Sequence, residues 1–188
     1  MTDPDEFEAF VLAHQDMVFA TAVRLLGREA EAEDVAQTVF LKAFERFETI
    51  GSSPTAAGWL RTVTRNACLN HLTRYRSRWR FFSELTVAGD ADGETAFEAY
   101  AASDSSPAMA HERADERAYL ENALRALPDH QRVPLVLFHF EQASYDEIAS
   151  TLGVSVAKVK SDIHRGREAL RTRLGRSRPD ATASHGSR

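Results

Sequence analysis

The chain has 188 residues, 43% of them hydrophobic, a formal net charge of −5 and a single cysteine, Cys68. That length allows one or two small domains with packed cores, and one cysteine excludes an internal disulfide and a cysteine-based metal cluster. No apolar run is expected to approach a membrane span, and the acidic start MTDPDEFEAF is unlike a secretory signal, so a cytoplasmic protein is expected.

The first element is an amphipathic helix over Phe7 to Leu26, with Phe7, Phe10, Val11, His14, Val18, Ala22, Leu25 and Leu26 at helical spacing and Gly27 to end it. A second helix begins near Ala30. Val35, Val39, Phe40, Ala43, Phe44 and Phe47 give it a broad apolar face. Glu31, Glu33 and Asp34 crowd its first turn, where negative charge is favoured. Asp34, Gln37, Thr38, Leu41 and Lys42 fall on a different side. A leucine among polar groups there suits a partner surface, although scattered surface leucines are common.

Thr49 to Thr55 has the composition of a loop. A third helix follows from about Ala56, with Trp59, Leu60, Val63, Ala67, Leu69 and Leu72 as its apolar stripe. Its other side carries Arg61, Arg65, Asn66, Asn70, His71 and Arg74, and Tyr75, Trp79, Phe81 and Phe82 alternate with further arginines. Asn, Arg and aromatic side chains together suit single-stranded or melted nucleic acid, whose bases stack and are hydrogen-bonded on their edges. The competing reading puts the aromatics in the core and the arginines in water, and for Trp59 that is the expectation.

From Ser83 to about Arg113 the periodicity is lost and acids predominate, which predicts a flexible linker dividing the chain into two domains. Helices are then expected over about Arg113 to Ala126 and Pro128 to Gln142, the latter supplying a second core with Pro134 in its first turn. Ser144 to Arg167 has the pattern of a helix-turn-helix. Ser144 and Glu147 make a capping box, Gly153 suits the left-handed corner, and Ser155 caps a second helix whose stripe is Val156, Val159, Ile163, Leu170 and Leu174. Its other face carries Lys158, Lys160, Ser161, His164, Arg165 and Arg167. Such side chains contact phosphates and guanine edges; an ordinary amphipathic surface helix has the same pattern. The polar tail from Arg176 is expected to be disordered. The fold class is therefore all-α, two small helical domains joined by a flexible linker, the second with a helix-turn-helix.

Charge is unevenly distributed. Arg61 to Arg80 holds six arginines and no acid, and Lys158 to Arg178 holds eight basic residues against Asp162 and Glu168. Two basic blocks in an acidic chain suggest two polyanion contacts, although each block alone also suits a solvated helix end.

These motifs resemble those of the extracytoplasmic-function (ECF, group 4) sigma factors of the sigma-70 family. AEDVAQTVFLKAF looks like the region-two helix that docks on core RNA polymerase, GWLRTVTRNACLNHLTR like the helix that reads and melts the minus-ten element, and LPDHQRVPLVLFHFEQASYDEIASTLGVSVAKVKSDIHRGREAL like region four, which reads the minus-thirty-five element. The resemblance implies region two over 1–82, a linker over 83–112, region four over 113–175 and a tail over 176–188. It implies that Asp34, Gln37, Thr38, Leu41 and Lys42 face the clamp coiled coil of the largest polymerase subunit, and that region four meets the flap of the second-largest. It implies that Arg61, Arg65, Asn66, Asn70, His71 and Arg74, with the loop Ile50, Gly51, Ser52 and Ser53, hold the minus-ten strand. Lys158, Lys160, Ser161, His164, Arg165 and Arg167 would meet the upstream element. An anti-sigma protein is the expected regulator; no enzyme activity, cofactor or metal is expected. The family often has a basic residue where Asp162 and Phe138 stand; Asp162 would repel phosphate or accept from a cytosine amino group.

Two other classes remain. A stand-alone helix-turn-helix regulator of duplex DNA would leave the Asp34 and Asn66 helices without a task. An enzyme is disfavoured because the seven histidines are scattered and form no metal, phosphate-loop or nucleophile–base motif.

Overall fold

The computed structural model describes residues 4–73 and 110–176. Residues 83–109 of the predicted linker, the tail beyond Arg176, and Arg74, Tyr75, Trp79, Phe81 and Phe82 lie outside the described residues, while 110–112, expected to be linker, are already helical. Every regular element among the described residues is helical, and the chain divides into two compact units, one within residues 1–86 and one within 87–188.

The first unit contains α1 (Pro4–Leu26), α2 (Glu29–Glu45), the short α3 (Phe47–Ile50) and α4 (Ala56–Thr73). Gly27 ends α1 with φ 75°, a left-handed conformation open to glycine at little cost. α1 packs against both α2 and α4, and α2 against α4. By length and composition α1 is apolar enough to cross a membrane, contrary to expectation, with a mean hydropathy of 1.3 over its best window. In the fold its face of Phe10, Val18, Ala22, Val23, Leu25 and Leu26 is buried.

Two apolar faces differ from their predicted registers. On α2, Val35, Val39 and Ala43 are buried together with Phe47 just beyond it, while Phe40 is half-buried and Phe44 is 48% exposed. Six apolar positions cover a wider arc than the contact with α1 and α4 needs. On α4 the buried line is Ala56, Leu60, Thr64, Cys68 and Leu72, with Leu69 beside it; Trp59, Val63 and Ala67 are half-buried. Thr64 sits in the core because its hydroxyl donates to the Leu60 carbonyl at 2.7 Å, which satisfies the polar atom within the helix.

The second unit contains α5 (Ala110–Arg125), α6 (Asp129–His139), α7 (Tyr145–Leu152) and α8 (Val156–Arg176). α8 packs against α5, α6 and α7. Gly166 lets α8 approach α6 closely: a Cβ there would lie 2.8 Å from Leu135 Cδ1. α6 is shorter than predicted. Pro134 is the sixth residue of α6 rather than in its first turn, buried among Val133, Leu135, Val136 and Leu137. The chain leaves α6 through Gln142 at φ 53°, and Ala143 N–H returns to the Leu137 carbonyl at 3.0 Å. Arg132 is 3% exposed; its guanidinium donates to the Leu127 carbonyl at 2.8 Å and to Asp129 Oδ1 at 2.6 Å, tying the α5–α6 corner.

Candidate functional site

The helix-turn-helix is built from local rules. Ser144 Oγ accepts from Glu147 N–H at 3.3 Å, and Glu147 Oε2 accepts from Ser144 N–H at 2.8 Å, closing the capping box. Gly153 turns the chain at φ 67°, ψ 38°. Ser155 Oγ then accepts from Lys158 N–H at 3.2 Å and starts α8. Ile148, Ala149, Val159, Ile163 and Leu170 are buried beneath the corner, with Val156 and Leu174 half-buried.

The basic residues of α8 occupy two flanks rather than one face. Lys160, His164 and Arg167 follow one another at i, i+4 and i+7; Lys158, Asp162 and Arg165 do the same on the other side. Lys160 is exposed, and Lys158, Ser161, His164, Arg165 and Arg167 are half-buried. Asp162 is not an outward acid: it is 4% exposed and holds Lys158 Nζ at 2.5 Å. The expectation that it faces phosphate or a cytosine amino group is therefore corrected. Lys158, in turn, is committed to that pair.

Two histidines border these flanks. His130 has its pKa lowered, first by burial and then by the Lys158 and Arg165 charges, with Asp162 opposing. His139 has its pKa lowered to about 4 by burial and by Arg167, whose Nε donates to His139 Nε2 at 3.1 Å. Phe138 stacks on Tyr145 with centroids 4.7 Å apart and planes 8° from parallel. Sequence reasoning counts Phe138 with the second core and as a departure from the family; it is half-buried, and the stack is missed because its two rings come from two helices and a helical period reports only one.

In the first unit, Asn66 and Asn70 are exposed one turn apart on α4; Arg61 is exposed and Arg65 half-buried. His71 is half-buried with Nε2 3.3 Å from Glu31 Oε2, so it faces α2. Ile50 belongs to α3 rather than to a loop and is 7% exposed. Gly51 lies against Phe47, whose ring a Cβ would meet at 2.7 Å. Ser52 is exposed, while the Ser53 hydroxyl bonds the Thr55 hydroxyl at 2.8 Å and accepts from Thr55 N–H at 3.2 Å. The predicted loop thus narrows to Gly51–Thr55. Arg74 lies outside the described residues.

On α2, Asp34, Gln37, Thr38, Leu41 and Lys42 are all exposed, Leu41 by 67%. Thr38 donates its hydroxyl to the Asp34 carbonyl at 2.9 Å. Gln37 and Leu41 border an open groove of about 840 Å³ whose apolar walls are Phe7, Val11, Phe19, Phe40 and Phe44. Phe7 holds Phe44 and Phe47 edge-on at centroid distances of 5.0 and 5.2 Å. The contribution of α1 to this groove was not foreseen; Phe19 lies off the predicted stripe. Among the described residues no group of three or more His, Cys, Asp or Glu is placed to hold a metal.

The described residues thus form a helix-turn-helix unit with cationic flanks and a separate helical unit bearing exposed Asn and Arg side chains and an apolar groove. The family model described as Sigma-70 region 2 matches residues 10–79, and that described as Sigma-70, region 4 matches residues 117–170. The chain is 33% identical over 178 residues to the ECF RNA polymerase sigma factor SigE of Mycolicibacterium smegmatis, covering 95% of this chain and 65% of that one. It is 29% identical over 172 residues to the ECF RNA polymerase sigma factor SigW of Bacillus subtilis, covering 92% and 90%. It is 33% identical over 178 residues to the RNA polymerase sigma-E factor of Streptomyces coelicolor, covering 95% and 91%. The chain thus spans just under two thirds of the first relative's length and nine tenths of the other two. It belongs to the sigma-70 family, as an RNA polymerase sigma factor of the ECF type. None of these family descriptions or relatives' names specifies a catalytic activity.

Proposed function

We propose that this sigma factor binds core RNA polymerase through α2, carries it to promoters in the cytoplasm, and contacts DNA twice. Asp34, Gln37, Thr38, Leu41 and Lys42 meet the clamp coiled coil. Asn66 and Asn70, supported by Arg61, Arg65, Arg74 and the loop at Ser52, receive melted minus-ten bases. Extruding a base costs a few kcal/mol of stacking, which a pocket of amide and guanidinium groups offsets. α8 enters the major groove of the minus-thirty-five element with Lys160, Ser161, His164, Arg165 and Arg167 toward DNA, and the second unit reaches the polymerase flap. Residues 83–109 act as the tether between region two (1–82) and region four, which begins with the helix at Ala110.

The observation that carries this reading over a stand-alone regulator is the groove beside Leu41. A side chain 67% exposed, next to a half-exposed Phe44 and a row of aromatic walls, is an apolar surface with the character of a partner site. A regulator that needs only duplex DNA has no use for it. The same groove gives an anti-sigma protein a surface on which to compete with polymerase.

Transcription in vitro with the purified chain and sigma-free core polymerase on genomic fragments tests the proposal. Discrete start sites that share two upstream motifs are expected. Sequence-specific binding by the chain alone, with no core binding and no starts, would favour the regulator.

A further inference from the structure

We propose that Phe138 and Tyr145 are positioning residues for DNA binding: their stacked rings hold the Lys160 ammonium and the Arg167 guanidinium together on one flank of α8, as a pair presented to duplex phosphates. This rests on the reading that α8 meets the upstream element.

The geometry supports it from three elements. Phe138 comes from the last turn of α6 and Tyr145 opens α7, and the two rings lie nearly parallel at 4.7 Å. Lys160 Nζ lies 5.6 Å from the Tyr145 ring centroid, and Arg167 Cζ lies 5.6 Å from that of Phe138. Both distances are within the range in which an aromatic face attracts a cation. Lys160 and Arg167 are seven residues apart, so they rise from the same flank two turns and roughly 10 Å apart. Arg167 is fixed a second time through Nε on His139 Nε2, and the His139 ring meets Phe138 edge-on at 4.9 Å and 88°.

Both rings are half-buried rather than enclosed, as a platform between core and surface requires. A cationic side chain already held in one arrangement loses less rotamer freedom when it meets a phosphate. The resemblance leads one to expect a basic residue where Phe138 stands. Phenylalanine gives up one charge and instead orients Arg167, while its stacking partner Tyr145 faces Lys160. Neither ring lies on the recognition helix, so counting the basic residues of α8 does not reveal their role.

The test uses the full chain assembled with sigma-free core polymerase and a promoter fragment obtained by start-site mapping. Promoter affinity is measured over a range of salt for the wild type and for Phe138→Leu, Phe138→Tyr, Lys160→Gln, Arg167→Gln and the Phe138→Leu/Arg167→Gln double variant, with melting temperatures in parallel. Leucine keeps apolar volume without a ring face; tyrosine restores the face. Phe138→Leu is expected to weaken promoter binding about threefold to tenfold, Phe138→Tyr to bind like the wild type, and the effect of Phe138→Leu to vanish in the Arg167→Gln background.

An equal loss in both backgrounds, or a lower melting temperature with unchanged affinity, overturns the proposal and leaves Phe138 as packing only. If Phe138→Leu does not fold, Tyr145→Leu read against Lys160→Gln decides by the same comparison. If Lys160→Gln and Arg167→Gln both bind promoter like the wild type, the placement of α8 on the upstream element fails and the positioning role with it. If those two weaken binding and Phe138→Leu does not, only the positioning role fails.

Discussion

Lys158 Nζ and Asp162 Oδ1 lie 2.5 Å apart, one turn along α8, with the Asp162 side chain 6% exposed. Removing one member of such a pair leaves the other charge poorly solvated, so Asp162→Ala should cost about 1–3 kcal/mol. The Lys158 side chain keeps 14% of its surface in contact with water, which keeps the figure below that of a fully enclosed pair. Replacing both residues by apolar ones (Lys158→Met with Asp162→Leu) should recover most of the loss. Urea unfolding of the single and double variants measures both effects; equal losses would show that the pair is not coupled.

His139 makes stability depend on pH. Its pKa is about 4 in the fold against 6.5 for a free imidazole, with burial the main cause and the Arg167 charge the second. Between these values the unfolded chain binds a proton that the folded chain does not. The stability is therefore fully present above pH 6.5 and is lost as pH falls toward 4. A drop of about 1 kcal/mol between pH 7 and pH 5 is expected after solvent screening of this half-buried group. His139→Gln keeps an acceptor for Arg167 without titrating and should flatten the dependence. His130, shifted in the same direction, leaves a residual slope. Urea midpoints at pH 7.5, 6 and 5 for both proteins check the sign.

Local chemistry was legible in the sequence, and contacts between helices were not. The Ser144–Glu147 box, the left-handed Gly153 and the Ser155 cap each depend on residues within four positions of one another, and each is found as expected. Which side of a helix is buried depends on its neighbours. The α4 line through Thr64 and Cys68 displaced Val63 and Ala67, since a hydroxyl bonded to its own helix and a thiol are both tolerated inside. Asp162 read as an outward acid because the helical period, which does place Lys158 one turn before it, does not show that neighbouring helices bury this part of α8. Likewise Ile50, apolar within a Gly- and Ser-rich stretch, was assigned to the loop with its neighbours, although its own burial draws it into α3.

The α6–α8 crossing depends on Gly166. A Cβ at that position would meet Leu135 Cδ1 at 2.8 Å and the Gln131 carbonyl oxygen at 3.3 Å. The leucine methyl can shift more readily than the backbone oxygen. Gly166→Ala should thus destabilise the second unit by about 1–3 kcal/mol despite the better helix propensity of alanine. Thermal unfolding followed by circular dichroism gives the answer, and a stabilised variant would mean that the two helices separate freely.

Gln142 shows the opposite case. It holds φ 53° at the end of α6, where a side chain strains the backbone. Gln142→Gly relieves that strain, although glycine adds freedom to the unfolded chain. A gain of about 0.5–1 kcal/mol in urea unfolding is expected; a loss would show that the Gln142 side chain makes a contact worth more than the strain.

Leu41 separates folding from partner binding most cleanly. It is 67% exposed on α2, beside the groove walled by Phe40 and Phe44 and contributed to by Phe7 of α1. Leu41→Asp removes apolar surface that the fold does not bury, so its stability should stay within about 0.5 kcal/mol of the wild type. A carboxylate at the centre of a partner contact, however, must be desolvated without a matching charge. Binding to core polymerase should therefore fall by about tenfold or more, a difference of roughly 1.4 kcal/mol or greater. Competition between the variant and the wild type for sigma-free core polymerase measures this directly. Unchanged binding would move the polymerase contact away from the groove, and a large fall in melting temperature would make Leu41 a structural residue after all.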